Sequence, residues 1–154
     1  MQVIKGTFKN LLVYGILVFT IFFINSKIFL ISYVPSESME PTIKKHQFVV
    51  ATRIYDQKIN RYDIVIFKSE GKFLIKRIIG LPGETLTIED GHIYIQGKKI
   101  KENFLLEPMT TQDGEISIPL NEYFLMGDNR NHSYDSRKIG TISKEDIIAI
   151  AKIY

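Results

Sequence analysis

Two serines, a lysine inside an apolar run and one long polar loop are the parts of this 154-residue chain whose residue types could do chemistry. The serines stand in Pro35-Ser36-Glu37-Ser38-Met39-Glu40-Pro41-Thr42, where two prolines restrain the backbone. A serine so placed is either a turn residue bonded to nearby backbone or a nucleophile, and the segment alone leaves both open. The lysine is less ordinary. Phe73-Leu74-Ile75-Lys76-Arg77-Ile78-Ile79-Gly80 carries two adjacent cations in an otherwise apolar strand. Alternation puts Lys76 on the face of Leu74 and Ile78, and Arg77 on the face of Ile75 and Ile79. Either both heads snorkel to water at a sheet edge, or burial keeps the lysine neutral. An unperturbed lysine titrates near about 10.4, so only roughly 0.04% is neutral at pH 7; a useful base needs a drop of about 2 to 3 units, roughly 3 to 4 kcal/mol. Desolvation among Ile and Leu side chains is able to supply that.

The loop, Gly127-Asp128-Asn129-Arg130-Asn131-His132-Ser133-Tyr134-Asp135-Ser136-Arg137, has no aliphatic side chain in eleven residues, as suits a polar loop placed by a rigid sheet. It is not a calcium loop, because Arg130 stands where a carboxylate or amide is needed and no glycine follows at the turn position. Zinc finds no HExxH and no clustered histidines, since His46, His92 and His132 lie in unrelated contexts. His132 is either a solvated loop residue or the base of a Ser-His-Asp triad. With no cysteine there are no disulfides, thiolate metal sites or cysteine nucleophiles, and neither metal nor cofactor is expected.

The elements that must position these groups read as short strands rich in Ile, Val, Phe, Tyr and Thr: Phe48 to Arg53, Asp63 to Lys68, Phe73 to Ile79, Thr85 to Glu89, His92 to Ile95, Glu115 to Ile118, Tyr123 to Met126 and Ile147 to Tyr154. Asp90-Gly91 suits a tight hairpin and Leu81-Pro82-Gly83-Glu84 a type II turn. No amphipathic helix of ten or more residues stands out, and the polar stretch Glu107 to Gly114 is the one candidate linker. Residues 35–154 therefore read as a single, mostly antiparallel β domain.

Residues 1–34 read differently. Lys5, Lys9 and Lys27 are their only charged side chains, so they hold the whole net charge of +3 and leave 17 basic against 17 acidic residues beyond. The basic character belongs to the N-terminus, and a nucleic-acid-binding reading loses its support. Leu11 to Ile24 is uncharged, and a helix from Phe8 to Ile28 reaches the length a bilayer requires, with Lys9 and Lys27 snorkelling to opposite headgroup layers. The competing reading, a cleaved secretory signal, lacks the small residues such a site needs, the first alanine being Ala51. The charge bias places the N-terminus in the cytoplasm and the β domain outside the cell membrane.

Four segments in one order resemble the type I signal peptidase family, membrane-bound serine proteases with a Ser-Lys dyad. Residues 35–42 are similar to its serine box, Arg61-Tyr62-Asp63-Ile64-Val65-Ile66-Phe67 to its R-G-D-[IV]-V-x-F box, and Leu74 to Glu84 to its lysine box. Gly127 to Arg137 fits G-D-N-R-x-x-S-x-D-S-R throughout. The departures are Tyr62 for the usual Gly and Glu84 for the common Asp. The small size and single span resemble the Gram-positive members. The resemblance implies an antiparallel β-sheet signal-peptidase fold behind one transmembrane helix. It implies Ser38 as nucleophile and Lys76 as general base, Ser36 and the Ser38 N–H as oxyanion hole, Ser133 bonded to the Lys76 amine, and Asp135 with Arg137 as a supporting ion pair. The implied reaction removes signal peptides after Ala-x-Ala-like sequences, with shallow pockets lined partly by Ile28 to Val34. Partners would be preprotein signal peptides and the lipid bilayer, with no nucleic acid, and the chain a monomer. Two alternatives remain: a specialised peptidase for one pilus or conjugation substrate, and a non-catalytic membrane assembly factor on the same fold. A self-cleaving repressor would need a DNA-binding helical domain where the apolar segment stands.

Overall fold

The structure, a computed structural model, describes residues 10–21, 28–55 and 57–153. Residues 10–21 form a helix (α1). Lys5, Lys9, Lys27 and much of the expected Phe8–Ile28 span fall outside the described residues, and among those described no helix is long and apolar enough to cross a membrane.

Among the described residues eleven strands follow: β1 Phe29–Tyr33, β2 Phe48–Arg53, β3 Ile64–Ser69, β4 Lys72–Gly80, β5 Thr85–Glu89, β6 His92–Ile95, β7 Lys98–Lys99, β8 Gly114–Ser117, β9 Glu122–Met126, β10 Ile142–Ser143 and β11 Ile147–Ala151, with a short helix α2 at Ser136–Ile139. Seven make one sheet in the order β1-β2-β11-β3-β4-β9-β10 and four another, β7-β6-β5-β8, all pairs antiparallel. The C-terminal strand β11 inserts between β2 and β3 and closes the larger sheet.

Burial follows from position. β2, near the edge, alternates: Val49 and Ala51 face in while Phe48 and Val50 face out. β3 lies centrally and is apolar on both faces, with Ile64 and Ile66 in one hydrophobic cluster and Val65 and Phe67 in another. A third cluster, around Ile79, Leu86, Phe124 and Met126, joins the two sheets. The tight turn at Asp90-Gly91 has positive φ at both residues, 49° and 74°, the geometry of a two-residue hairpin. The Leu81–Glu84 turn closes through Glu84 N–H to the Leu81 carbonyl at 3.2 Å.

Three strands had no counterpart in the sequence pattern. β7 and β10 are two residues each, too short for periodicity to register. β1 lies in the apolar stretch grouped with the anchor: residues 29–33 pair with β2 along their whole length, so this stretch is also a strand of the larger sheet. The candidate linker at 107–114 is also anchored. Met109 is buried in the third cluster, and Thr110 donates twice to Asn131 Oδ1, at 2.8 Å each.

Candidate active site

The chain segment carrying Ser38 crosses the end of β9, and Gly127 makes the crossing possible. A Cβ built on Gly127 would lie 2.4 Å from the Ser38 carbonyl oxygen and 2.3 Å from Ser133 Oγ, so no side chain fits there. The Asn129 N–H donates to that Ser38 carbonyl at 3.1 Å. The serine segment is thereby pinned to the polar loop, and Ser38 is turned toward β4.

There it meets Lys76. Nζ lies 2.7 Å from Ser38 Oγ and 2.9 Å from the Ile75 carbonyl. Register pairs Lys76 with Val65, and the residue is 3% exposed; neither it nor Arg77 snorkels to water. Burial lowers the Lys76 ammonium from 10.5 to about 8, against the opposing pull of Asp135 and Asp128. About a tenth of the amine is then neutral at pH 7, some hundredfold or more above an ordinary lysine. Ser36, on the exposed side, has its Oγ 3.2 Å from Ser38 Oγ.

The supporting loop is built around Asp135. Its carboxylate accepts the Gly127 N–H at 3.0 Å and pairs with Arg137 at 2.8 Å, while Arg137 also donates to the Arg130 carbonyl at 2.6 Å. Burial pushes the Asp135 carboxyl up, but Arg137 and the Gly127 N–H outweigh it and hold it below the usual range. Asp135 also caps α2, accepting the Arg137 N–H. Ser133 is buried, and its hydroxyl lies beside the Asp135 carboxylate and helps to hold it below its usual range, while the hydrogen bonds of Lys76 Nζ run to Ser38 Oγ and the Ile75 carbonyl.

The tightest polar knot is one the sequence did not reveal. Arg77 grips Asp128 bidentately, at 2.8 Å from Nε and 2.6 Å from Nη2. It also donates to the Tyr62 carbonyl at 3.0 Å and to Thr42 Oγ1 at 3.2 Å, and stacks over Phe104 at 4.2 Å. Thr42 in turn donates to Asp128 at 2.5 Å. One guanidinium thus ties together all four sequence segments. The available signal was Arg77 itself, a cation assigned to the Ile75 face that needed a buried acid. Tyr62 sits in the left-handed region at φ 73°, where glycine is at ease, and its ring packs on Phe104. Glu84 bridges Arg61, at 2.5 Å, and the Leu81 N–H, at 2.7 Å.

His132 lies on the same loop, but the base at hydrogen-bond distance from Ser38 Oγ is Lys76. Beside the pair is a cleft of about 50 Å³ whose walls include Val34, Met39, Ile75 and Lys76. A larger cavity, about 510 Å³, opens behind the loop between residues 110–114 and Arg137; Arg130, Ser133 and Arg137 line it, whereas Ser38 and Lys76 do not.

A family model described as "Signal peptidase, peptidase S26" matches residues 7–154. The chain is 37% identical to signal peptidase I of Bacillus amyloliquefaciens, over 77% of this chain and 71% of that one, and 35% identical to a probable signal peptidase I-2 of Synechocystis over 77% of this chain. It spans 59% of the Synechocystis protein's length and 66% of that of a Leptolyngbya laminosa signal peptidase I. A crystal structure of a signal peptidase I from Enterococcus faecalis superposes with a TM-score of 0.58 at 33% identity, over 62% of this chain and 98% of that one. Matched from residue 7 to its last residue, the chain belongs to the signal peptidase family, peptidase S26.

Proposed function

We propose that the chain is a membrane-bound serine endopeptidase that removes signal peptides from secreted preproteins after small residues, in an Ala-x-Ala-like context. The observation that carries this reading is the 2.7 Å contact between Ser38 Oγ and a buried Lys76 whose ammonium titrates near about 8. In this mechanism the neutral amine takes the Ser38 proton as Oγ attacks the carbonyl carbon before the cleaved bond. The Ser36 hydroxyl and the Ser38 N–H stabilise the oxyanion, and Lys76 returns the proton to the leaving amine. Water then hydrolyses the ester on Ser38, with Lys76 again as base. Ser133, Asp135 and Arg137 are positioning residues behind the lysine.

The cleft volume of about 50 Å³ supports small side chains at the cleaved position. The larger sheet supports placement at a membrane: the pairs Ile31 with Val50 and Tyr33 with Phe48 put four exposed apolar side chains on one face of β1 and β2. The residues before β1 serve as a single-pass anchor with a cytoplasmic N-terminus, and the β domain works outside. The test is cleavage of an Ala-x-Ala preprotein by the full chain in lipid vesicles. Ser38→Ala and Lys76→Ala each abolish cleavage while the thermal melt persists; near-normal cleavage by either variant refutes the dyad.

A further inference from the structure

The cleft beside Ser38 continues past Ser32. Ser32, Tyr33 and Phe73 line it and also line a second cavity, of about 360 Å³, that runs along β1 to Leu30, Ile66 and Arg53. The walls of this second cavity are mainly aliphatic and aromatic, and Arg53 is the only charged residue among them. Arg53 shares the inward face of β2 with Val49 and Ala51, and register sets it opposite Ala149. Its Nε–H is buried without a hydrogen-bond partner, and no ion pair of its guanidinium forms among the described residues. A buried donor that has lost water and gained nothing costs stability, so a folded chain that keeps one has a place where an incoming acceptor is rewarded.

The geometry of β1 says which part of a substrate arrives there. Val34 lines the Ser38 cleft and Leu30 the second cavity. An extended strand advances about 3.3 Å per residue, so those four residues span about 13 Å, and a peptide lying extended alongside moves in step. We propose that this cavity is a specificity subsite for the fifth residue before the cleaved bond, where Arg53 donates its buried Nε–H to a side-chain oxygen of the substrate. An aliphatic stem suits the walls and an oxygen at its tip suits Arg53, so glutamate and glutamine are the residues it selects. The inference rests on the peptidase reading above. An anionic lipid headgroup offers the same oxygen chemistry, but the continuity of the cavity with the Ser38 cleft favours the peptide.

The test uses the full chain in phosphatidylcholine vesicles and Ala-x-Ala peptides carrying Glu, Gln or Met in turn at the fourth, fifth and sixth positions before the bond. Glu and Gln at the fifth position raise kcat/KM about tenfold over Met, the worth of one hydrogen bond to a charged donor. Arg53→Met brings that ratio to about one. Binding of the same peptides to the Ser38→Ala chain reports the same ratio in Kd, so the subsite is judged even if the chain cleaves none of them, a result that would refute the peptidase reading alone. The subsite is overturned by equal handling of Glu and Met at every position in both assays, or by a preference that survives Arg53→Met. It is equally overturned if Arg53→Met slows all peptides alike and only in vesicles containing phosphatidylglycerol, the signature of a headgroup. A thermal melt establishes that the variant is folded; if it is not, the ratio in the unsubstituted chain decides.

Discussion

Replacing Lys76 with methionine should remove activity and, below pH 8, make the protein more stable. The ammonium is lowered from 10.5 to about 8 by burial, and at 1.36 kcal/mol per unit the folded state carries a penalty of about 3 kcal/mol whenever the lysine is charged in both states. The sign follows from proton counting. Below about 8 both folded and unfolded chains hold the proton, and the penalty is complete. Between about 8 and 10.5 the unfolded chain binds more protons than the folded one, so stability rises with pH and the penalty fades. Methionine keeps the aliphatic stem but gives up the bonds to Ser38 Oγ and the Ile75 carbonyl, about 1 kcal/mol in net terms. The variant is then more stable by about 2 kcal/mol at pH 6, a Tm higher by about 6 °C, and indistinguishable from the parent near pH 10. Thermal melts of both proteins in detergent across that range decide it. A Lys76→Met protein less stable than its parent at pH 6, or a difference that does not change with pH, refutes the claim that burial tunes this lysine.

Other outcomes follow from the same geometry. Cleavage by the unsubstituted enzyme rises about tenfold per pH unit and levels off near about 8; a rate already flat from pH 6 would contradict a lysine base. Gly127→Ala forces a methyl group against the Ser38 carbonyl and Ser133, and kcat falls about 100-fold or more with circular dichroism unchanged in form. Arg77→Met leaves Asp128 buried without its partner and costs about 3 to 5 kcal/mol in urea melts, most of it recovered when Asp128→Leu is added. Tyr62→Gly relieves a left-handed tyrosine, about 1 kcal/mol, and loses a ring contact of similar worth, so its Tm stays within a few degrees of the parent.

The parts of the fold that were legible in the sequence are those where local pattern and final burial agree. Phe48–Arg53, Thr85–Glu89 and His92–Ile95 have the bounds their alternation indicated. β1 was hidden because an apolar stretch next to a still more apolar one has no alternation to read, although its outward residues are exposed in the sheet. Of the site, Ser38 and Lys76 stood out by residue type, yet the contact between them spans 38 positions and depends on the sheet closing. The Arg77–Asp128 pair was invisible for the same reason: its members are 51 positions apart, and no local rule matches a strand cation to a loop acid. Ser133 was assigned its place behind the lysine through resemblance alone, because nothing local in the sequence shows that its hydroxyl lies between Gly127 and the Asp135 carboxylate.

That single guanidinium joining Thr42, Tyr62 and Asp128 has a consequence for when the chain is dangerous to its neighbours and to itself. In the proposed mechanism the nucleophile Ser38 and its base Lys76 belong to different segments, and the lysine is basic in the useful range only while β3, β4 and the loop enclose it. A nascent or partly unfolded copy exposes that lysine to water, where it reverts to an ordinary ammonium and leaves Ser38 an inert alcohol. Reactivity therefore appears together with completed folding and vanishes with it. On that mechanism, copies unfolded enough to be digested are not themselves able to digest, a form of self-protection that needs neither an inhibitor nor a propeptide.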